Sequence, residues 1–216
     1  MRTADSVTAF LTRRGTDLGV VLGGLALLVL CAIPASSGRV GSVEQRAFES
    51  INGLPDGLEL LANAAQFLGV LAIGPVVAVI ALIARRPRLD IAALLTTAGK
   101  LLGERALLEI VQRERPAVTE PDAIIRGGVA TAGLSFVSGH VVLVTCLAWV
   151  ATPYLQGRWK ILPWIVVALV AFARVYLGAH NPLDVTGGIG MGLAIGGIVN
   201  LVLKVPTTYR SDPQNT

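Results

Sequence analysis

The fold of this chain is decided by residues 161–204, which read ILPWIVVALVAFARVYLGAHNPLDVTGGIGMGLAIGGIVNLVLK. Two apolar runs within this stretch, 161–178 and 183–204, approach or exceed the roughly 20 residues that a helix needs to cross a bilayer. A short polar segment joins them, in which Asn181 and Pro182 have the pattern of an N-cap and a first helical residue. The stretch therefore predicts two consecutive transmembrane helices.

The rest of the chain has the same apolar character. Its 216 residues are 53% hydrophobic and only 15% charged, whereas about 25% of the residues in a soluble domain are charged. We predict an all-α, polytopic membrane protein, in which six helices form one bundle and residues 1–216 form a single domain with polar tails at 1–17 and 205–216. The predicted spans are 18–36, 59–83, 89–111, 139–156, 161–178 and 183–204.

Two further segments need an interpretation. The polar stretch 42–57 has a few apolar positions and predicts a short helix at the membrane surface. The first apolar run, which follows Arg13 and Arg14, also resembles a signal peptide, but it exceeds the usual h-region of 7–15 residues, so we expect a retained span. Cys31 and Cys146 lie inside apolar runs and are interpreted as small hydrophobic residues.

The formal net charge of +4 is explained by membrane topology, because no nucleic-acid motif is present and the basic residues do not cluster on one soluble face. With the N-terminus inside, the inner segments hold more basic residues than the outer ones, as the positive-inside rule requires. The inner set is Arg2, Arg13, Arg14, Arg85, Arg86, Arg88, Arg158, Lys160, Lys204 and Arg210, and the outer set is Arg39, Arg46, Arg113, Arg115, Arg126 and Arg174. We predict a plasma or inner membrane location with both termini cytoplasmic.

Ser138-Gly139-His140 opens the predicted fourth span. Serine is a favoured N-cap, and glycine lets a ligand approach the backbone closely. The free N–H groups of a helix start bind phosphate readily, and His140 is placed to protonate a leaving oxygen. An ordinary capped helix with a histidine at the membrane surface would show the same tripeptide.

A second histidine follows in the pattern Arg174-x5-His180-x3-Asp184. The carboxylate of Asp184, in the first turn of the last span, can reach back to His180 and activate its other ring nitrogen as a nucleophile. The guanidinium of Arg174 suits the geometry of phosphate oxygens. A helix cap with a surface ion pair is the alternative, but the chain has only two histidines and both lie at outer span edges.

Arg115-Pro116 ends the third span, and Arg113 is a second candidate cation beside it; an ordinary pair of surface arginines is the alternative. Deeper in the same span, Lys100 with Glu104 and Arg105 with Glu109 have the i,i+4 spacing of structural ion pairs. Lys100 precedes Arg115 by 15 residues, or roughly 22 Å along a continuous helix. That distance predicts that the two do not share one phosphate.

Together and in this order, these motifs resemble the type 2 phosphatidic acid phosphatase family, which shares its core with vanadium haloperoxidases. The family pattern reads K-x6-R-P, then P-S-G-H, then S-R-x5-H-x3-D. Over residues 108–184 this chain matches the pattern, with Val137 in place of the proline and Ala173 in place of the serine. Leu108 is the larger departure, because it stands where the family has its lysine.

The resemblance implies a lipid phosphatase that needs no metal and no cofactor. His180 would attack phosphorus and form a phosphohistidine, Asp184 would orient His180, and His140 would protonate the leaving oxygen. The implied phosphate-binding groups are Arg115, Arg174, Ser138 and Gly139, with Arg113 as an additional candidate.

We therefore expect an integral-membrane enzyme that hydrolyses a lipid phosphate or pyrophosphate at the outer face of the membrane. Candidate substrates are an isoprenoid carrier pyrophosphate, phosphatidic acid and phosphatidylglycerol phosphate. The expected partners are the lipid substrate and the bilayer, without nucleic acid, and the oligomeric state stays open. Two alternatives also stay open: a lipid phosphotransferase that uses the same intermediate, and a non-catalytic lipid-binding or transport protein, which Leu108 favours.

Overall fold

The structure is a computed structural model that describes residues 4–205, with side chains from residue 14 onward. This part of the chain is all-helical and holds no β-strand, only one isolated bridge between Glu114 and Leu134. Its α-helices are α1 (Ala4–Ala35), α2 (Ser42–Asn52), α3 (Glu59–Phe67), α4 (Ile73–Ile83), α5 (Pro87–Ile110), α6 (Pro116–Thr119), α7 (Gly139–Ala151), α8 (Leu162–Tyr176) and α9 (Pro182–Leu203). The predicted all-α class is confirmed for these residues. Of the predicted polar tails, residues 1–3 and 206–216 lie outside the described part, and residues 4–17 belong to α1.

Three helical segments of the described part are long and apolar enough to cross a membrane: Arg14–Ala35, Gly157–Tyr176 and Pro182–Leu203. Each holds 20 to 22 residues, which at 1.5 Å per residue matches the roughly 30 Å of a hydrocarbon core. Shorter apolar helices lie at Ile73–Ile83 and Gly139–Tyr154. These helices support a membrane location, while the total of six spans stays a prediction.

The predicted span 59–83 is not one continuous helix. It divides into α3 and α4, which are separated by the apolar turn 68–72. A Cβ added to Gly69 in this turn would lie 2.8 Å from the Cβ of His140, so the turn packs directly against the start of α7. The division is invisible in a hydropathy pattern because the turn is as apolar as its flanking helices.

Small residues allow the central helices to approach one another closely. α9 packs against α1 and α7, and a Cβ added to Gly190 would lie 2.7 Å from the carbonyl oxygen of Gly24. Such small-residue contacts are typical of helix packing in membranes, where backbones come close enough for extensive van der Waals contact. Cys31 and Cys146 are both buried in the core cluster around Phe136, which confirms their interpretation as small hydrophobic residues.

The polar stretch 42–57 contains the predicted short helix, α2, followed by a 3-10 turn at Asp56–Leu58. α2 lies over α8 and α9, and Phe48 on its inner face is buried against them. Arg126 anchors the loop after α6 to this region, because its guanidinium donates to the carbonyl oxygens of Asn52 and Tyr176. These contacts fix the loops that surround the ends of α5, α7 and α9.

Candidate active site

The C-terminal side of α5, the start of α7 and the α8–α9 connection converge on a cavity of about 450 Å³. Among the predicted site residues, those that line the cavity are Arg115, Gly139, His140, Arg174 and His180. These residues belong to three motifs that are separated by up to 65 residues in sequence (115 to 180). The motifs meet at the cavity because each lies at or next to a helix end. The structure therefore brings both histidines and two of the arginines to a single place.

His180 and Asp184 are both buried, with 4% and 0% of their surfaces exposed. Their facing atoms, Nδ1 and Oδ2, lie 3.7 Å apart, which is an ion-pair distance but too long for a hydrogen bond. The same Oδ2 accepts the backbone N–H of Asn181 at 2.9 Å, so Asp184 also caps the start of α9. Burial lowers the pKa of His180 to about 4, although Asp184 opposes the shift. His180 is therefore neutral at physiological pH, with the lone pair that a nucleophile needs.

His140 occupies the first turn of α7, directly after Ser138 and Gly139. Ser138 has the predicted N-cap position, although its hydroxyl makes no capping hydrogen bond. Its backbone N–H donates to the carbonyl oxygen of Asp184 at 3.0 Å. The Ser138 side chain is fully buried outside the cavity lining, whereas Gly139 lies on the lining. The start of α7 is thus tied to the start of α9, which places His140 and His180 on the same cavity.

Arg115 and Arg174 bring two positive charges to the cavity. Arg115 donates from Nη1 to the carbonyl oxygen of Ala179 at 2.9 Å, and Arg174 donates from Nη1 to Oε1 of Gln66 at 2.5 Å. Within the described residues neither has a carboxylate partner, and the Nε atoms of both are buried without a hydrogen bond. Burial also lowers the pKa of Arg115. One buried guanidinium, of Arg174, and one half-buried guanidinium, of Arg115, each with an unused Nε donor, favour an anionic ligand.

Arg113, predicted as an additional phosphate-binding cation, does not reach this cavity. Its side chain is fully buried, with Nη2 at 2.7 Å from Glu44 and Nη1 at 3.3 Å from Asp184. A buried guanidinium needs carboxylate partners, and two are supplied here by α2 and α9. The sequence shows neither contact, because the partners are about 70 residues away in both directions.

The predicted separation of Lys100 from Arg115 assumed a helix that continues as far as Arg115, and α5 does not. α5 ends at Ile110, Val111 is extended, and Lys100 lines the same cavity as Arg115. The predicted ion pair of Lys100 with Glu104 is confirmed, with Nζ at 2.5 Å from Oε2, whereas the described residues show none between Arg105 and Glu109. Leu108 lines the cavity as well, so the apolar residue at the lysine position of the family faces the same space.

Gln66 is a site residue that the sequence analysis missed. It lines the cavity and holds the guanidinium of Arg174, although it lies in α3, more than 100 residues earlier. A signal was present, because Asn63 and Gln66 are amides inside a predicted apolar span. Amides in such a setting tend to face a partner within the bundle.

Comparison with known proteins identifies the class of this chain. The family model described as PAP2 superfamily matches residues 65–206, which is more than half of the chain. The chain belongs to the PAP2 superfamily.

Two curated relatives are similar over part of their length. A lipid A 4'-phosphatase of Porphyromonas gingivalis is 37% identical over 79 residues, covering 35% of this chain and 31% of the relative. A decaprenylphosphoryl-5-phosphoribose phosphatase of Mycobacterium tuberculosis is 36% identical over 95 residues, covering 43% of this chain and 49% of the relative. The chain thus spans less than half the length of the curated relatives it matches.

Two solved structures share the fold. The crystal structure of LpxE from Aquifex aeolicus has a TM-score of 0.68 at 21% identity, and covers 74% of this chain and 95% of its own. A transmembrane PAP2 type phosphatidylglycerolphosphate phosphatase from Bacillus subtilis has a TM-score of 0.65 at 23% identity, and covers 82% of this chain and 94% of its own.

Proposed function

We propose that this chain is an integral-membrane phosphatase that hydrolyses a lipid phosphate or pyrophosphate through a phosphohistidine at His180. The observation that carries the proposal is the cavity, which joins two histidines to Arg115 and Arg174. Within the described residues, His180 has an ion-pair contact with a carboxylate, Asp184 at 3.7 Å, and His140 has none. That asymmetry supports two different roles for the imidazoles, His180 as nucleophile and His140 as proton donor.

In the proposed reaction, the ring nitrogen of His180 that faces away from Asp184 attacks phosphorus in line. The P–N bond forms as the bond to the lipid oxygen breaks, and His140 gives its proton to that oxygen. Water then attacks phosphorus, its proton passes to His140, and the P–N bond breaks to release inorganic phosphate. Arg115, Arg174 and the backbone at Gly139 stabilise the equatorial oxygens, since phosphoryl transfer depends mainly on positioning and charge stabilisation.

A lipid substrate is supported by the lining of the cavity and by the relatives. Phe67, Val70 and Leu108 give one part of the lining an apolar surface beside the charged groups. The relatives are named as phosphatases of lipid A, of decaprenylphosphoryl-5-phosphoribose and of phosphatidylglycerolphosphate. We propose that this chain likewise takes a lipid-linked phosphate, with an isoprenoid pyrophosphate, phosphatidic acid and phosphatidylglycerol phosphate as candidates.

We further propose a multi-pass arrangement with the cavity at the outer face and both termini in the cytoplasm. Arg85, Arg86 and Arg88 precede or open α5, while Arg115 follows it and lies at the cavity. Positive-inside counting assigns the first group to the cytoplasm.

The proposed function is tested by phosphate release from a panel of lipid phosphates and pyrophosphates, with purified protein in detergent and EDTA. We expect turnover of at least one substrate, no loss in EDTA, and inhibition by vanadate, whose trigonal bipyramidal form resembles the transition state. A lipid alcohol added as acceptor separates hydrolysis from phosphotransfer. Binding of the lipids without any release would support a non-catalytic protein and overturn the proposal.

A further inference from the structure

Three buried charged residues form a row of contacts behind His180. Glu44 lies in α2, Arg113 follows α5 and Asp184 lies in α9, with 8%, 0% and 0% of their surfaces exposed. Glu120 lies near them without an ion-pair partner in the described part, and burial, with repulsion from Glu44, raises the pKa of its carboxyl. Charged groups leave water at a high cost unless they are paired. The stability of this Glu44–Arg113–Asp184 cluster therefore depends on how its three charges are paired.

Glu44 uses both of its carboxylate oxygens. Oε2 accepts from Nη2 of Arg113 at 2.7 Å, and Oε1 accepts the backbone N–H of Leu183 at 2.9 Å, in the first turn of α9. The contact of Arg113 with Asp184 is longer, at 3.3 Å between Nη1 and Oδ1. Arg113 is thus bonded more closely to Glu44 than to Asp184.

The second oxygen of Asp184 faces the opposite way. Oδ2 accepts the backbone N–H of Asn181 at 2.9 Å and lies 3.7 Å from Nδ1 of His180. The cluster holds two carboxylates and one guanidinium, so it carries one net negative charge beside His180. That charge matches the positive charge that His180 acquires when it is phosphorylated.

We propose that Glu44 is a positioning residue that prevents Arg113 from neutralising Asp184. The inference rests on the function proposed above, because it assigns the Asp184 carboxylate the role of stabilising positive charge on His180 in the transition state. Without Glu44, Nη2 of Arg113 would lose its carboxylate partner and join Nη1 on Oδ1 of Asp184, the oxygen that faces Arg113. The pair would be neutral, and Asp184 would stabilise a charged His180 less.

The first test compares Glu44→Gln with Glu49→Gln, an exposed carboxylate on the same helix. Glutamine keeps an oxygen for the N–H of Leu183 but lacks the charge that attracts Arg113. We expect Glu44→Gln to lower kcat by about 10-fold and to leave KM within about twofold, as outer partners of functional histidines commonly act. Glu49→Gln should leave both constants unchanged. Equal kinetics for the two variants would overturn the proposal.

The second test removes the arginine as well, in Glu44→Gln/Arg113→Gln. If the charge of Arg113 on Asp184 causes the loss, the double variant recovers kcat relative to Glu44→Gln, although it lacks one more ion pair. A purely structural role predicts that it is worse, and a double variant no more active than Glu44→Gln overturns the proposal. If Glu44→Gln does not fold, the double variant is compared with wild type. A kcat more than about 10-fold below that of wild type then overturns the proposal. An inactive wild type would instead refute the proposed function.

Discussion

His180 is held in a setting that favours the neutral imidazole over the imidazolium. It is buried, its Nδ1 faces a carboxylate at 3.7 Å, and two guanidinium groups line the same cavity. Desolvation and the arginines oppose a positive charge, while Asp184 favours it. A bound phosphate would add negative charge to this balance, which favours positive charge on His180 at the moment of transfer.

His180→Ala is expected to reduce phosphate release by at least about 10³-fold, because a nucleophile cannot be replaced by binding groups alone. Protein incubated with radiolabelled substrate and quenched in SDS at alkaline pH, where the acid-labile P–N bond survives, should carry label in wild type and lack it in this variant. The matched variant His140→Ala should retain label, because it keeps the nucleophile and loses the proton donor. Equal labelling of His180→Ala and wild type would contradict the assignment.

The acid limb of the pH profile is expected to lie well below that of an ordinary histidine. The pKa of His180 is lowered from 6.5 to about 4, so kcat/KM should persist as pH falls through 6.5 and decline near 4. In the unfolded chain the histidine binds its proton near pH 6.5, before the folded protein does. The free energy of unfolding therefore falls as pH decreases from about 6.5 to about 4. Enzyme incubated at each pH and assayed again at pH 7 controls for unfolding. A limb centred near 6.5 for both a monoester and a pyrophosphate would contradict the prediction.

Helix ends and turns, more than the helices themselves, determine the geometry of the cavity. The α3–α4 turn touches His140 through Gly69, and the start of α7 lies against the Lys100–Glu104 pair. A Cβ on Gly139 would meet Glu104 and Lys100 in the same way that one on Gly69 would meet His140. Glycine is needed at these positions for close approach, since each would otherwise displace a cavity residue.

Gly69→Ala is therefore expected to displace His140 and to lower kcat by about 10- to 100-fold, since small displacements of catalytic groups are costly. The control is Gly57→Ala, where an added Cβ has nothing within 4 Å. Both proteins should be recovered from membranes in wild-type amounts, and only the first should lose activity. Wild-type kcat in Gly69→Ala would show that this contact does not position His140.

Predictions about helix starts and ion pairs were confirmed only where a local sequence pattern determined the contact. Asn181-Pro182 marked the start of α9, and Lys100 formed its predicted ion pair with Glu104, whereas Arg105 and Glu109, also in the described part of the chain, have the same spacing and do not pair. The predictions failed where the path of the backbone mattered: the break inside 59–83 and the end of α5 that brings Lys100 and Arg115 to one cavity. Hydropathy indicates which residues are buried in lipid or protein, and it contains no information about where the backbone turns.

The class of the whole molecule was predictable because the motifs and the apolar runs are encoded locally. The PAP2 superfamily and the all-helical fold of residues 4–205 are both confirmed. The contacts of Gln66 with Arg174, and of Glu44 with Arg113, were not predictable, since each joins elements distant in sequence. The assignment of catalytic and phosphate-binding roles stays a prediction, as does the total of six spans.

Two exposed positions at opposite ends of the proposed topology can report which side of the membrane the cavity faces. Asp122 lies in the loop after α6, on the side of Arg115, and Arg158 lies in the turn before α8. Positive-inside counting assigns Asp122 to the exterior and Arg158 to the cytoplasm. A substrate for this cavity would then present its head group in the outer leaflet, as an exported or recycled lipid does.

Single cysteines at these two positions test the assignment in intact cells, in a background where the buried Cys31 and Cys146 are replaced by alanine. A membrane-impermeant maleimide is expected to label Asp122→Cys and to spare Arg158→Cys, because only the first thiol is on the outside. Permeabilised cells should label both, which controls for thiol exposure. The reverse pattern in intact cells would invert the topology, place the cavity in the cytoplasm, and replace outer-leaflet lipids by lipids of the inner leaflet as candidate substrates.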